Sequence, residues 1–293
     1  MSLPRFSLLA ALLSVSVAVS AEILVHDDTG QAIRLTSPAR RIVSLAPHIT
    51  ETLFAAGAGD QLVAAVDYSD YPPAAQKLPR LGSYERIDIE ALLAQKPDLI
   101  IAWQSGNPPT MIEKLRQLGL TVYVSQSSRL ESVADDLERF GQLVGKVAAG
   151  QAAARHFRQR RADLRARYAA KQPVRLFYQI WHQPLTTIGG PQVISDVIRL
   201  CGGENVFGHL QAMAPKVTLE AVLAARPEAI VAAGMGEARP EWLEDWKKWP
   251  NLPATAQGNL FHINPDLMHR QGPRLLDGAE VLCRQLDLAR QRR

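Results

Sequence analysis

The 293-residue sequence has only two cysteines and no low-complexity tract, and beyond its first residues no apolar run is long enough to span a membrane. A hydrophobic fraction of 47% with 21% charged residues is ordinary for a globular protein and argues against disorder as its main feature. The length exceeds that of a typical single domain and suits two domains of about 100–150 residues each. We therefore expect a folded, two-domain protein.

Motifs of common catalytic sites are also missing. The sequence has no Gly-x-Ser-x-Gly elbow and no phosphate loop ending in Gly-Lys-Ser or Gly-Lys-Thr. Gly234-Met-Gly236 lacks the third glycine of a dinucleotide-binding turn, and none of the seven histidines has the spacing of a metal-binding helix. We therefore predict a binding protein without a metal or cofactor of its own. A secreted enzyme is the alternative from another class, but no nucleophile–base pair supports it.

The first residues have the character of an export signal. Arg5 supplies a positive start, Leu8–Val19 is apolar, and Ser20-Ala21 offers small residues for cleavage. The apolar run is shorter than the about 20 residues that a spanning helix needs. We predict a signal peptide over 1–21, with a buried N-terminal helix as the alternative. Because no cysteine lies near the cleavage site, we expect no bacterial lipid anchor.

The two cysteines, Cys201 and Cys283, leave two readings open. In an oxidising compartment an even pair favours a disulfide, which over so long a loop would contribute about 4 kcal/mol in the unfolded-state model. Two buried free thiols are the alternative.

The formal net charge is +4, and most of the excess falls on one predicted helix. Its basic residues are Arg155, Arg158, Arg160, Arg161, Arg165, Arg167 and Lys171. Such a cluster is found on nucleic-acid-binding surfaces and also on ordinary solvated helix faces. The sequence has no nucleic-acid motif and no aromatic residues interleaved with the arginines, so we expect a solvated face and no nucleic-acid partner.

An internal repeat relates two parts of the chain. Residues 87–101 reappear as 217–231 at a constant offset of 130, with Glu90 matching Glu220. Asp88 and Thr218 are good helix N-caps, the two glutamates then fall in the first helical turn, and an apolar strand follows each helix. Each copy therefore predicts a helix followed by a buried strand.

Strand–helix alternation continues through both halves, which predicts an α/β fold of two Rossmann-like lobes with mostly parallel sheets. A helical stretch over about 130–171, with glycines at 141, 145 and 150 that could divide it, separates the halves. We predict lobes over 22–145 and 172–293 joined by one long α-helix over 146–171. A stiff connection limits lobe closure, and ligands favour clefts at the carboxyl ends of parallel strands.

Aromatic residues cluster where such a cleft would lie. Loops or strand ends carry Tyr68, Tyr71, Tyr84, Trp103 and Trp181. Flat side chains at these places could bind a large, partly apolar ring system, although ordinary loop packing explains any single one equally well. We interpret Trp242, Trp246 and Trp249 as core residues. His48 and His182 could also face the cleft, but a lone histidine is more often a surface or satisfied polar residue.

Several stretches resemble the periplasmic cobalamin-binding proteins of the BtuF type, which belong to the binding proteins with a helical backbone between their lobes. The resemblance covers about 40–286, and its matching stretches are 41–57, Tyr68-Ser-Asp-Tyr-Pro-Pro73, 96–103 and 201–207. The strand–helix stretches are shared with siderophore and haem binders. The Tyr-Ser-Asp-Tyr-Pro-Pro segment, and Ala-Trp followed by Gly106-Asn107, are more specific to the cobalamin group.

The resemblance implies a ligand site and a transport role. Tyr68 matches a tyrosine that touches the corrin ring and Trp103 a tryptophan at the cleft edge. Asp266 and Arg270 match the ends of a ligand-contacting loop that here contains His269. Cobalamin would be the transported ligand rather than a cofactor, and the protein would be a periplasmic monomer.

The resemblance also implies a disulfide and a partner. Cys201 and Cys283 match the family's disulfide pair. Glu90 and Glu220 match two surface acids that dock onto the permease of an ABC importer, whose permease and ATPase complex would be the partner in the inner membrane. One acid per lobe suits a two-fold partner.

Three cleft positions depart from the family pattern and leave the ligand open. Tyr84 and Ala214 stand where the family often has tryptophan, and Thr186 where it has phenylalanine; Trp181 and His182 are extra and could compensate. Cobinamide or another corrinoid is one alternative. Haem is the nearest rival, because related haem binders use an axial tyrosine close to Ser83-Tyr84. A siderophore site would show more cleft arginines than the candidates Arg86, Arg270 and Arg274.

Overall fold

The computed structural model describes residues 22–234 and 239–293, so the predicted signal peptide lies outside the described residues. The described chain opens with an antiparallel hairpin, β1 (Ile23–His26) and β2 (Ala32–Leu35), that the sequence did not lead us to expect. Asp28 fastens it to the first lobe, because its carboxylate accepts a hydrogen bond from the amide of Gln126 at 2.6 Å.

The first lobe is built on a four-stranded parallel sheet. Its elements, in chain order, are β3 (Ile42–Ser44), α1 (Pro47–Ala55), β4 (Leu62–Ala65), α2 (Ile89–Ala94), β5 (Leu99–Trp103), α3 (Pro109–Gln117) and β6 (Val122–Ser125). The strand order is β4-β3-β5-β6, and all neighbouring strands are parallel. The strands are apolar on both faces because helices cover both sides of the sheet.

Two helices then form the backbone of the molecule, α4 (Leu130–Leu143) and α5 (Val147–Tyr168). The predicted helical stretch is confirmed and is divided around Gly145, whose φ of 71° is a conformation that favours glycine. The two helices touch through glycine: a Cβ on Gly150 would lie 2.5 Å from the backbone oxygen of Leu137.

The second lobe repeats the pattern. Its elements are β7 (Val174–Gln179), β8 (Trp181–His182), β9 (Leu185–Thr186), α6 (Val193–Leu200), β10 (Gly203–Asn205), α7 (Leu219–Ala225), β11 (Ala229–Ala232), α8 (Pro253–Ala256), β12 (Leu260–His262), α9 (Pro265–Met268) and α10 (Leu275–Gln291). The parallel sheet has the order β10-β7-β11-β12, and β8 and β9 form a short hairpin outside it. The predicted fold class is therefore confirmed.

The internal repeat is confirmed as α2–β5 and α7–β11. Asp88 accepts a hydrogen bond from the amide of Ala91 at 2.9 Å, and Thr218 accepts one from the amide of Ala221 at 3.2 Å. In the first lobe α1 begins at Pro47, because proline at the first helical position has a φ that suits a helix and needs no amide partner.

The disulfide between Cys201 and Cys283 is present, with a Cα–Cα distance of 4.6 Å, and it joins the end of α6 to α10. Of the two readings that the sequence left open, the disulfide is the correct one.

The arginine-rich face of α5 is paired with acids of the neighbouring helices. Arg158 donates to Glu131 at 2.5 Å and to Glu138 at 2.6 Å, and Arg160 reaches Asp277 at 2.8 Å. The largest group of buried apolar side chains runs without a break from the first lobe through α4 and α5 into the second. These contacts make the connection between the lobes stiff. Among the described residues no helix is long and apolar enough to cross a membrane.

Candidate ligand-binding cleft

A cavity of about 210 Å³ lies between the lobes, where the sequence places the ligand site. Trp103 at the end of β5 and Ser105 line it from the first lobe. The second lobe contributes Ile180, Gln192, Met213, Ala214, His269 and Gln271. Both sheets thus direct the carboxyl ends of central strands, β5 and β7, toward one space, as the general rule for open α/β sheets requires.

A buried asparagine holds Trp103 in place. The side-chain oxygen of Asn107 accepts from the amide of Trp103 at 2.7 Å, and its nitrogen donates to the backbone oxygens of Leu45 and Tyr84 at 3.0 and 2.7 Å. The indole lies across Gly106, where a Cβ would come within 1.8 Å of the ring. The Gly106-Asn107 pair therefore sets the orientation of the tryptophan, which explains this part of the motif.

Tyr84 packs on Trp103, with ring centroids 5.5 Å apart, and His48 meets the indole edge-on at 5.1 Å. Burial, with a smaller effect from Glu85, raises the pKa of the Tyr84 phenol above its usual value. The phenol therefore stays protonated at neutral pH. Tyr84 supports the cavity-lining tryptophan from behind.

Tyr68 is exposed to 73% although it is a large aromatic residue, and its φ is 61°. A tyrosine with positive φ is uncommon, and such strain persists where surrounding contacts over-determine the backbone. The residue after Tyr68 makes the contacts that hold this turn. Arg80 donates to the backbone oxygen of Ser69 at 2.8 Å, and the hydroxyl of Thr50 lies 3.2 Å from the hydroxyl of Ser69. The structure thus presents an exposed ring on a fixed turn.

Ion pairs hold the predicted ligand loop, 266–270, in place. Arg270 is 11% exposed, and its guanidinium contacts Asp266 at 3.0 Å, Asp70 at 2.6 Å and Glu51 at 3.1 Å. His269 lines the cavity, its Nε2 is 3.3 Å from the hydroxyl of Tyr178, and burial lowers its pKa to about 4. In this arrangement His269, rather than Arg270, is the residue of the loop that borders the cavity.

Trp181 and His182 lie on the β8–β9 hairpin, directly after the cavity-lining Ile180, but neither is among the residues that line the cavity. The indole Nε1 of Trp181 donates to the backbone oxygen of Gln183 at 3.0 Å, and the His182 ring stacks on Trp242 at 5.6 Å. The structure therefore does not bring Trp181 to this cavity. Trp246 is buried as predicted, with Trp242 and Trp249 packed beside it.

Three polar atoms at the cleft have no partner among the described residues: His48 Nε2, Trp103 Nε1 and Gln271 Oε1. Burial, and secondarily the charge of Arg270, lowers the pKa of His48 to about 3, so the ring is neutral. Sequence reasoning missed Gln271, Gln192, Met213 and Ile180 as lining residues, because each is an ordinary residue in a segment without a motif.

Glu90 and Glu220 are both exposed, each in the first turn of its helix. For Glu220, hydrogen bonds from its own backbone amide and from Thr218 lower the carboxyl pKa. The two glutamates are thus equivalent, negatively charged points, one on each lobe.

These features define the class: two α/β lobes on a helical backbone with a cavity between them. Residues 42–267 match the family of periplasmic binding proteins, and the chain belongs to that family.

Within the family, the chain is 44% identical to the vitamin B12-binding protein of Vibrio cholerae over 253 residues, which cover 86% of this chain and 91% of that protein. It is 39% identical to the vitamin B12-binding protein of Yersinia pestis over 255 residues, covering 86% and 89%. The crystal structure of the periplasmic vitamin B12-binding protein BtuF of Vibrio cholerae matches with a TM-score of 0.79 at 42% identity, covering 86% and 98%. The periplasmic haem-binding protein of Pseudomonas aeruginosa matches with a TM-score of 0.73 at 26% identity, covering 84% and 91%.

Proposed function

We propose that this protein captures cobalamin or a related corrinoid between its lobes in the periplasm and delivers it to an ABC importer in the inner membrane. The observation that carries the proposal is the 44% identity to a vitamin B12-binding protein along nearly the whole described chain. The exposed ring of Tyr68 and the cavity-lining Trp103 support it, because a flat, partly apolar macrocycle needs aromatic surfaces of this kind.

In this proposal the corrin ring packs against Tyr68 and Trp103, with Tyr84 holding the indole. Asp266, His269 and Arg270 meet the polar edge of the ligand, and Trp181 contributes only if the β8–β9 hairpin moves toward it. The cavity of about 210 Å³ is smaller than a typical ligand pocket, so we propose that the lobes separate at the cleft mouth on binding. The ligand is cargo, and the protein performs no catalysis.

The working unit is a monomer with lobes over 22–145 and 172–293, joined by the connecting helix over 146–171. The continuous apolar packing along α4 and α5 supports a small opening rather than a wide hinge motion.

Haem is the second candidate, since a haem-binding protein shares the fold at 26% identity. An axial tyrosine ligates ferric iron as the phenolate. Tyr84 packs on Trp103 and is not among the residues that line the cavity, so it does not offer its phenol to a ligand there. The chain therefore favours a corrinoid.

The experiment that tests ligand capture is equilibrium dialysis of the mature protein against cyanocobalamin and, separately, haemin. Retention of one cyanocobalamin per protein, with haemin retained no better than in a chamber without protein, is the expected result. Retention of haemin alone would reject the corrinoid assignment and leave the family intact.

The delivery step is tested by reversing both docking acids, Glu90→Lys and Glu220→Lys. Because both side chains are exposed and neither lines the cavity, we expect ligand affinity to stay unchanged while uptake through the importer is abolished. Asp60→Lys, an exposed acid elsewhere on the first lobe, is the matched control and should leave uptake intact. Normal uptake by the double variant would show that these glutamates do not dock the protein.

A further inference from the structure

A buried carboxylate joins the two lobes. Glu51 lies on α1 of the first lobe, and its side chain is 2% exposed. Its oxygens accept from Nε and Nη2 of Arg274 at 2.8 and 2.7 Å, and from Nη1 of Arg270 at 3.1 Å. Both arginines belong to the segment between α9 and α10 in the second lobe. One acid therefore binds two cations from the other side of the cleft.

Two further contacts extend this cluster to the turn that carries Tyr68. Asp70 bonds Arg270 at 2.6 Å, and the guanidinium of Arg274 lies 3.9 Å from the ring centroid of Tyr71. Asp266 completes the charge pairing of Arg270 at 3.0 Å. We call Glu51, Asp70, Asp266, Arg270 and Arg274 the interlobe hub.

The hub lies between the cleft and the connecting helix. On one side, the two neighbours of Arg270 in sequence, His269 and Gln271, line the ligand cavity. On the other side, Glu51 and Arg274 line a separate cavity of about 370 Å³ that also touches Arg160 of α5. The hub thus borders the ligand cavity on one side and α5 on the other, so a change in its geometry would change how the two lobes face each other.

The lobes also approach closely at the hub. A Cβ on Gly272 would lie 3.3 Å from the backbone oxygen of His48, so glycine permits this approach. Ion pairs alone do not align two surfaces well, but a carboxylate fully enclosed by two guanidiniums has strict geometry. The hub therefore sets the distance between α1 and the 269–274 segment.

We propose that Glu51 is a positioning residue for ligand capture: by holding Arg270 and Arg274 it fixes the separation of the lobes and the places of Tyr68, His269 and Gln271 on opposite cleft walls. It does not touch the ligand. Removing one partner of a buried ion pair leaves the other charges uncompensated, so the contact between the lobes at the interlobe hub should loosen. The effect on affinity rests on the proposed function, whereas the effect on lobe separation does not.

The test measures lobe separation without ligand. Cysteines substituted at the exposed Lys114 and Lys216 carry spin labels, one per lobe, and the native cysteines do not compete because both are in the disulfide. Electron–electron distance distributions are recorded for the wild-type background, Glu51→Gln and the control Glu138→Gln. Glu138 also forms an ion pair with an arginine, but that pair joins α4 to α5 and does not link the two lobes.

We expect Glu51→Gln to broaden the distance distribution and Glu138→Gln to leave it unchanged. Cyanocobalamin affinity should fall at least about tenfold in Glu51→Gln and stay within about twofold in the control. An unchanged distribution in folded Glu51→Gln would overturn the proposal, whatever happens to affinity.

Asp70→Asn keeps the proposal testable if Glu51→Gln does not fold, because the Asp70 side chain is 46% exposed and its loss endangers no core. It should broaden the distribution less than Glu51→Gln, and no broadening would count against the hub. If the wild-type protein fails to bind cyanocobalamin, the proposed function fails, while the distance measurement still decides the role of Glu51.

Discussion

Tyr68 shows how a single residue can carry a binding prediction. Most large aromatic residues among the described residues are at least partly buried, yet this one is held outward on a turn of positive φ. A structural role in the core is therefore excluded for its ring. The cost of its backbone conformation is consistent with selection for a ligand contact.

Replacing Tyr68 by alanine should weaken corrinoid binding by about 1–3 kcal/mol, since the aromatic area that the ligand covers is lost. Tyr68→Phe keeps the ring and should bind within about 0.5 kcal/mol of wild type. Calorimetry on the three proteins measures the difference. An alanine variant with wild-type affinity would remove Tyr68 from the site.

His48 and His269 make stability depend on pH. Burial holds their folded-state pKa values at about 3 and about 4, below the unfolded value of 6.5. Between pH 6.5 and 4 the unfolded chain binds protons that the folded protein does not, so their contribution is present above pH 6.5 and is lost as pH falls. Asp136 acts oppositely: burial raises its pKa to about 7, so the folded protein gains stability as that carboxyl takes up a proton.

His48→Gln isolates one of these effects. Between pH 7 and pH 5 a histidine with so low a pKa lowers the unfolding free energy of the wild-type protein by about 2 kcal/mol. The variant lacks this histidine, so its unfolding free energy should fall by about 2 kcal/mol less over the same interval. Urea unfolding of both proteins at pH 7 and pH 5 checks it. Parallel pH dependences would mean that His48 is accessible to protons in the folded protein.

At the scale of the elements, the contact between α4 and α5 leaves no room for side chains where the two helices come closest. Gly141 and Gly150 face each other, and the ideal Cβ of either would come within 3.0 Å of the other's Cα. Because the neighbours are backbone atoms, a side chain there cannot be accommodated by a rotamer change. The stiffness of the connection therefore depends on two glycines.

Gly150→Ala should destabilise the protein by about 1–3 kcal/mol even though alanine is the better helix former. Gln151→Ala, on the exposed face of the same helix, should change stability by no more than about 0.5 kcal/mol. Thermal or urea unfolding distinguishes the two. A Gly150→Ala protein as stable as wild type would show that the helices can separate without cost.

At the scale of the whole molecule, the parts that could be predicted from the sequence were those with a local signal. The repeat at an offset of 130 predicted α2–β5 and α7–β11 because caps, first-turn acids and buried strands are adjacent in sequence. The helical stretch over about 130–171 and the lobes on either side of it could be predicted in the same way, from local sequence patterns.

Contacts between distant segments could not be predicted. Glu51 and Arg270 are 219 residues apart, and no local pattern marks a glutamate on an apolar helix as half of an interlobe ion pair. The same limit applies to Trp181: its indole donates to the backbone oxygen of Gln183 within the β8–β9 hairpin, which no sequence pattern indicated, and its contact with a ligand stays a prediction. Where a side chain points depends on packing between elements, which sequence periodicity does not contain.

Calorimetric titration of the mature protein with cyanocobalamin, cobinamide and haemin is the sharpest test of whether the cleft binds a corrinoid. We expect tight one-to-one binding of cyanocobalamin and much weaker binding of haemin, with Tyr84, Thr186 and Ala214 only adjusting the affinity. No heat with cyanocobalamin or cobinamide, together with one-to-one binding of haemin, would contradict it.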